Sequence, residues 1–188
     1  MFMSKKKGIV YGVGINDVDY VVSDCLYYRK WKGMIRRCYS SNYHITNPSY
    51  VGCSICEEWH RFSNFKSWMV KQDWEEKELD KDILFPGNKV YSPDTCVFID
   101  KKVNELFSKK NRNGVRGVVY CERLKKYVVR GSTIIDSEKK SRYYGCYSTL
   151  EEAKKVSDKV REDYVMSVAN EQKDDRVKDA ILSLIKLK

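Results

Sequence analysis

Long apolar runs, proline, glycine and histidine are all scarce in this chain, and each scarcity excludes something. With 3 Pro and 10 Gly in 188 residues, neither a collagen-like repeat nor a Pro/Gly-driven disordered chain fits the composition. No apolar stretch approaches the roughly 18 residues of a membrane-spanning helix. Met1, Phe2, Met3 and Ser4 run straight into Lys5, Lys6 and Lys7 with no apolar block behind them. Neither a membrane association nor a signal peptide is therefore expected, and the default location is cytoplasmic. Histidine is limited to His44 and His60. The 7 Cys are an odd number without an export signal, so buried thiols or metal ligands suit them better than a disulfide framework.

Apolar and aromatic residues make up 42% and 13% of the chain, enough to bury a core in one or two small domains. Against 26 Asp plus Glu stand 36 Lys plus Arg, a net charge of +10, which favours an acidic partner, nucleic acid first. The excess is local. Up to Phe107, 16 basic residues face 14 acidic ones, a net +2, whereas residues 108–147 hold 11 basic against 3 acidic, a net +8. Residues 148–188 balance at 9 of each. This is a patch and not a general basicity. All four tryptophans, Trp31, Trp59, Trp68 and Trp74, fall in the first half, where they can anchor a separate core. Two domains are expected, 1–107 and 115–170, joined by the polar linker 108–114 and followed by a helical segment, 171–188.

Helical spacing of apolar residues predicts helices over 27–39, 58–71 and 97–107, with a loop at 40–49 and a short strand-like piece at 50–56. The second domain reads as three antiparallel strands, at 117–120, 126–135 and 142–147, from their β-branched and aromatic runs. Thr149 and Glu152 then have capping-box spacing at the head of a helix over 150–169, and a last helix covers 174–187. Gly12-Val13-Gly14 has no Lys-Ser/Thr after it and reads as a turn.

A sheet backed by one helix keeps its other face free, and the free positions are expected to supply Arg116, Arg123, Lys125, Arg130 and Arg142. Strands can enter the DNA major groove, with Arg on guanine edges and Lys on phosphates. Gly117-Val118-Val119-Tyr120, Lys126-Tyr127-Val128, the run Tyr143 to Tyr147 and Ser148-Thr149-Leu150-Glu151-Glu152-Ala153 resemble the Apetala-type DNA-binding domain of plant transcription factors and phage homing endonucleases. The likeness covers about residues 115–165. It implies binding of double-stranded DNA by the sheet face. Cys146 and the polar run 137–141 depart from the usual pattern.

In the first domain, Leu79-Asp80-Lys81-Asp82-Ile83-Leu84 and the segment from Gly87 to Phe98 place oxygen ligands on either side of a tight turn. Asp80 and Asp82 are candidates to hold Mg2+ for phosphodiester chemistry. With the runs from Tyr28 to Tyr39 and Cys56-Glu57-Glu58-Trp59, Phe62 and Phe65, this pattern resembles phage proteins related to the HNH (His-Me finger) endonucleases over about residues 27–104. The resemblance implies an α+β fold with a ββα metal-binding hairpin, and Asp80 as the acidic ligand. Where family members carry a water-activating His this chain has Lys81, and where they carry Asn it has Thr95. A protonated lysine cannot take a proton from water, although Lys81 can stabilise a phosphate. His60 is the remaining candidate base. Cys53-x-x-Cys56 is half of a zinc knuckle by spacing, and the resemblance, in which Cys38 and Cys96 recur, implies four thiolates as candidates for a structural Zn2+.

Three readings of function are thus expected. The first is a phage-type DNA-binding protein resembling a homing endonuclease, with metal-dependent nicking or cleavage and a host cytoplasmic location. The alternative is a catalytically inactive relative that represses through DNA binding, or that inhibits a host defence protein through the basic sheet or the acidic stretch 73–82. Binding of RNA in place of DNA is a third.

Overall fold

The computed structural model describes residues 8–107 and 115–186, so the linker expected at 108–114 and its Lys109, Lys110 and Arg112 lie outside the described residues. The class is α+β. The chain divides into two compact units, residues 1–100 and 101–188.

The first unit opens with a small antiparallel hairpin, β1 (Ile9–Val10) and β2 (Gly14–Ile15). Gly12 turns it with φ +78°, and a Cβ on Gly14 would stand 2.9 Å from the Trp31 ring. Helix α1 (Leu26–Tyr39) buries Trp31, Met34, Ile35 and Cys38, the stripe that the spacing predicts. The stretch read as a loop instead holds a short helix, α2 (Ser41–Thr46), because Ser40 Oγ accepts from the Tyr43 N–H and caps it. Strand β3 (Ser54–Ile55) follows. The helix expected over 58–71 is shorter: a 3-10 turn, Glu57–His60, gives way at the extended Arg61 to α3 (Phe62–Met69).

Three more short strands complete this unit: β4 (Glu78–Asp80), β5 (Val90–Tyr91) and β6 (Val97–Ile99). β4 pairs antiparallel with β6, and β3 pairs parallel with β5. The residues expected to begin a helix at 97 are therefore strand, all three buried. The tryptophans do share one core: Trp31 and Trp59 are fully buried, Trp68 and Trp74 pack against the cluster, and the Trp31 indole N–H donates to the Trp59 carbonyl at 2.8 Å.

The second unit begins with α4 (Lys101–Phe107) and then forms β7 (Val118–Cys121), β8 (Lys126–Ile135) and β9 (Glu138–Tyr147), an antiparallel sheet in the order β7-β8-β9. Asp136 and Ser137 both take positive φ, 52° and 62°. This is the conformation a two-residue hairpin needs to match strand twist, and it extends β9 four residues before the expected start. Helix α5 (Leu150–Asn170) follows with its capping box formed and lies along β8, burying Val129, Ala153 and Val160. Helix α6 (Asp175–Lys186) packs on α5, with Val177 and Ile181 buried. No helix among the described residues is long and apolar enough to cross a membrane.

Candidate nucleic-acid interface

Side chains alternate across a strand, so the fully buried Val129 fixes the facing of its neighbours. Val129 meets α5, and Arg130 points to the opposite, open face, where it is exposed. Cross-strand partners share a face. The register pairs Arg130 with Tyr143 and lines up Val119, Val128 and Cys146 beside them. Val119 and Tyr143 are 68% and 56% exposed, so among the described residues nothing in its own unit covers this face. Arg123 and Lys125 are exposed in the turn between β7 and β8, with Lys125 at φ +47°.

The other two expected contacts are elsewhere. Arg142 pairs with Gly131, and a Cβ on Gly131 would run into Val160 of α5. Arg142 is thus on the helix side, its guanidinium 6.0 Å from the Tyr144 ring centroid. Arg116 precedes β7 and lines a space against α5; its carbonyl accepts from Ser157 Oγ. The open face is therefore built on Arg130 with Arg123 and Lys125 at its rim, and Arg116 and Arg142 are not part of it. Across residues 115–147 the balance is 8 basic against 3 acidic, a net +5.

In the first unit, Asp80 ends β4 and turns its Oδ1 back on the chain, accepting the N–H groups of Asp82 at 2.9 Å and Ile83 at 2.8 Å. Burial, with the like charge of Asp82 adding to it, pushes the Asp80 carboxyl above the usual range, and these N–H donors only partly oppose that. Lys81 is 6% exposed. Its ammonium donates to Asp82 Oδ2 and to the Asn88 carbonyl, both at 3.0 Å, and lies 5.8 Å from the Tyr91 ring centroid. Thr95 Oγ1 donates to the Val90 carbonyl at 2.8 Å. His60 places Nε2 3.4 Å from the Tyr39 hydroxyl.

Mg2+ demands a near-octahedral oxygen shell. Here the Lys81 ammonium holds the Asp82 carboxylate, one Asp80 oxygen is taken by backbone donors, and no group of three or more His, Cys, Asp or Glu among the described residues is placed to hold a metal ion. Both expected Mg2+ ligands are thus engaged within the protein, and no third ligand joins them among the described residues. For zinc, Cys38, Cys53, Cys56 and Cys96 do not converge into such a group either. Burial pushes the thiols of Cys38 and Cys96 up to about 12, away from the thiolate that Zn2+ requires. Cys38, Cys53 and Cys96 are buried in the core, and Cys56 packs partly buried against it.

One residue of this region escapes the sequence reading. Arg37 falls on the basic outer side of α1 by composition, yet its Nε donates to the Tyr91 hydroxyl at 3.0 Å and its guanidinium stacks 5.4 Å from the Tyr91 ring centroid. Its spacing of three from the buried Met34 was the available signal. No family model, curated relative or solved structure matches this chain.

Proposed function

We propose that the protein binds duplex DNA through the open face of the β7-β8-β9 sheet and does not cleave it. The observation that carries the reading is Arg130 on an exposed sheet face, rimmed by Arg123 and Lys125, inside the stretch that holds most of the chain's net charge. A strand face presenting Arg, Lys and Tyr matches the chemistry of groove edges and phosphates. Against cleavage stand the Lys81–Asp82 ion pair, the Asp80 oxygen taken by backbone donors and the lack of a third ligand among the described residues.

Fluorescence anisotropy with labelled duplex DNA tests the reading. Binding should weaken steeply with salt, with a log–log slope of about −0.9 per phosphate neutralised, and single-stranded RNA should compete poorly. Supercoiled plasmid should stay intact in Mg2+ or Mn2+. Nicking that Asp80→Ala abolishes would restore the nuclease reading. Absence of salt-dependent duplex binding would overturn the DNA reading and leave a protein partner.

A further inference from the structure

Charge in the first unit is as unevenly spread as in the whole chain. Between Asp24 and Glu57 there is no Asp or Glu, and residues 25–56 carry Arg29, Lys30, Lys32, Arg36 and Arg37, a net +5. The +2 of residues 1–107 conceals this patch, because the acids that offset it lie elsewhere in the sequence. Its excess equals that of residues 115–147. A partner of negative charge is the complement.

Tyrosines order this charge. The Arg36 guanidinium lies over the Tyr43 ring, 4.6 Å from its centroid. The Tyr43 and Tyr50 rings follow at 5.6 Å, tilted by 57°. Arg37 comes next, 6.0 Å from the Tyr50 centroid and 5.4 Å from that of Tyr91. These five side chains make a column of cations and rings that is buried at Tyr91 and exposed at Arg36. Among the described residues neither guanidinium pairs with a carboxylate; their contacts of charge and hydrogen bond are with tyrosines.

Local bonds hold the column in place. Ser40 caps α2, the His44 Nε2–H donates to the Arg37 carbonyl at 2.8 Å, and Asn47 Nδ2 donates to the Tyr43 carbonyl at 3.2 Å. In the 3-10 turn Pro48–Tyr50, the Tyr50 N–H donates to the Asn47 carbonyl at 3.1 Å. Exposed Lys89 reaches the same turn, its ammonium donating to the Ser49 carbonyl at 2.7 Å, and brings a further cation. Arg36 therefore presents a plane already backed by a ring before any ligand arrives.

Bases stack on aromatic rings and on guanidinium planes, while neighbouring cations track the phosphates. A base inside a duplex has both faces covered by its neighbours and cannot cap this column. An unpaired base can. We propose that this face of the first unit binds single-stranded nucleic acid, with a base stacked on the Arg36 plane and Lys89 among the cations that meet the phosphates. The site does not rest on the duplex reading, which concerns other residues, so the failure of one leaves the other standing.

The experiment is anisotropy of the full chain with labelled oligodeoxyuridylate, oligouridylate and an abasic deoxyribose strand of equal length. The strands with bases should bind more tightly than the abasic one by about fivefold or more, the lower end of one base–aromatic stack. Preference for either sugar, or for neither, supports the site and names the strand it takes. Arg36→Lys keeps the charge but not the plane. It should melt as the parent does and hold the abasic strand equally, yet lose the advantage of the bases. Arg130→Ala, which acts on the duplex reading, should keep that advantage. An abasic strand bound as tightly as the others would overturn the proposal and leave charge alone, as for an acidic protein segment. A full advantage in Arg36→Lys, or its loss in Arg130→Ala, would overturn it as well.

Discussion

The ammonium of Lys81 stands 3.0 Å from both the Asp82 carboxylate and the Asn88 carbonyl, so the residue found where a water-activating histidine is expected ties a loop together. Asn88 reinforces the tie by donating its Nδ2 to the carbonyls of Lys81 and Val90, the latter at 2.7 Å. Lys81→Ala strips partners from the partly buried Asn88 carbonyl and a half-exposed carboxylate, and should cost about 1–3 kcal/mol. Lys81→Met keeps the stem against Tyr91 and should lose less. Thermal melts check both, with about 2–4 °C expected per kcal/mol at this chain length.

The facing of the strands makes the DNA reading selective among arginines. Arg130→Ala and the turn pair Arg123→Ala/Lys125→Ala should weaken duplex binding and flatten the salt dependence, by about 0.9 in slope for each phosphate contact removed. Arg142→Ala should leave the slope unchanged, because Arg142 shares a face with Gly131 and α5. Anisotropy titrations at several salt concentrations read all three. Equal losses from Arg130 and Arg142 would mean that charge, and not the open face, governs binding.

That distinction was not legible in the sequence, and the reason is register. The polar run 137–141 looks like a connection because nothing in it alternates, yet Asp136 and Ser137 alone make the turn and Glu138 onward is strand. Placing the turn fixes Arg142 opposite Gly131. An exposed hairpin end has no core to impose a hydrophobic pattern, so only backbone geometry records it. Elements that bury a face were readable: β8 spans Lys126–Ile135 as expected, and α5 starts at the Thr149 capping box. The helix expected over 97–107 begins only at Lys101, because Val97, Phe98 and Ile99 are apolar without interruption and fit a buried strand as well as a helix. The carboxylates of the candidate metal site were found by motif, but motif does not show that Lys81 already occupies one of them.

Asp17 supplies a pH test of the first unit. Its carboxylate accepts the N–H and hydroxyl of Ser63, at 3.0 and 2.6 Å, and so caps the first turn of α3 from a distant segment. Burial pushes this carboxyl up, but the two Ser63 hydrogen bonds, with Arg61 beyond them, bring it below the usual aspartate range. A depressed folded value means that the stabilisation is complete above the unfolded pKa of about 3.9 and disappears as pH falls through the folded value. Asp17→Ala should therefore cost about 1–2 kcal/mol at neutral pH, as loss of a helix cap does, and the gap from the parent should close in acid. A gap independent of pH in denaturant melts would assign the loss to packing alone.

Gly131 and Val160 should behave as a coupled pair. A Cβ at Gly131 runs into Val160 Cγ1, and β8 cannot move away because it is held by β9 on one edge and, at Val129, by β7 on the other. Gly131→Ala overpacks this contact and should cost about 1–3 kcal/mol. Val160→Ala removes the obstructing methyls, and alone it forfeits apolar burial. Together the two changes restore a fit, since one methyl enters where two leave. The double variant should be less destabilised than the sum of the singles by about 0.5–3 kcal/mol, the range of directly contacting residues. Strict additivity in a double-mutant cycle would mean that α5 shifts along the sheet as a body and that the close approach at Gly131 is not what fixes its position.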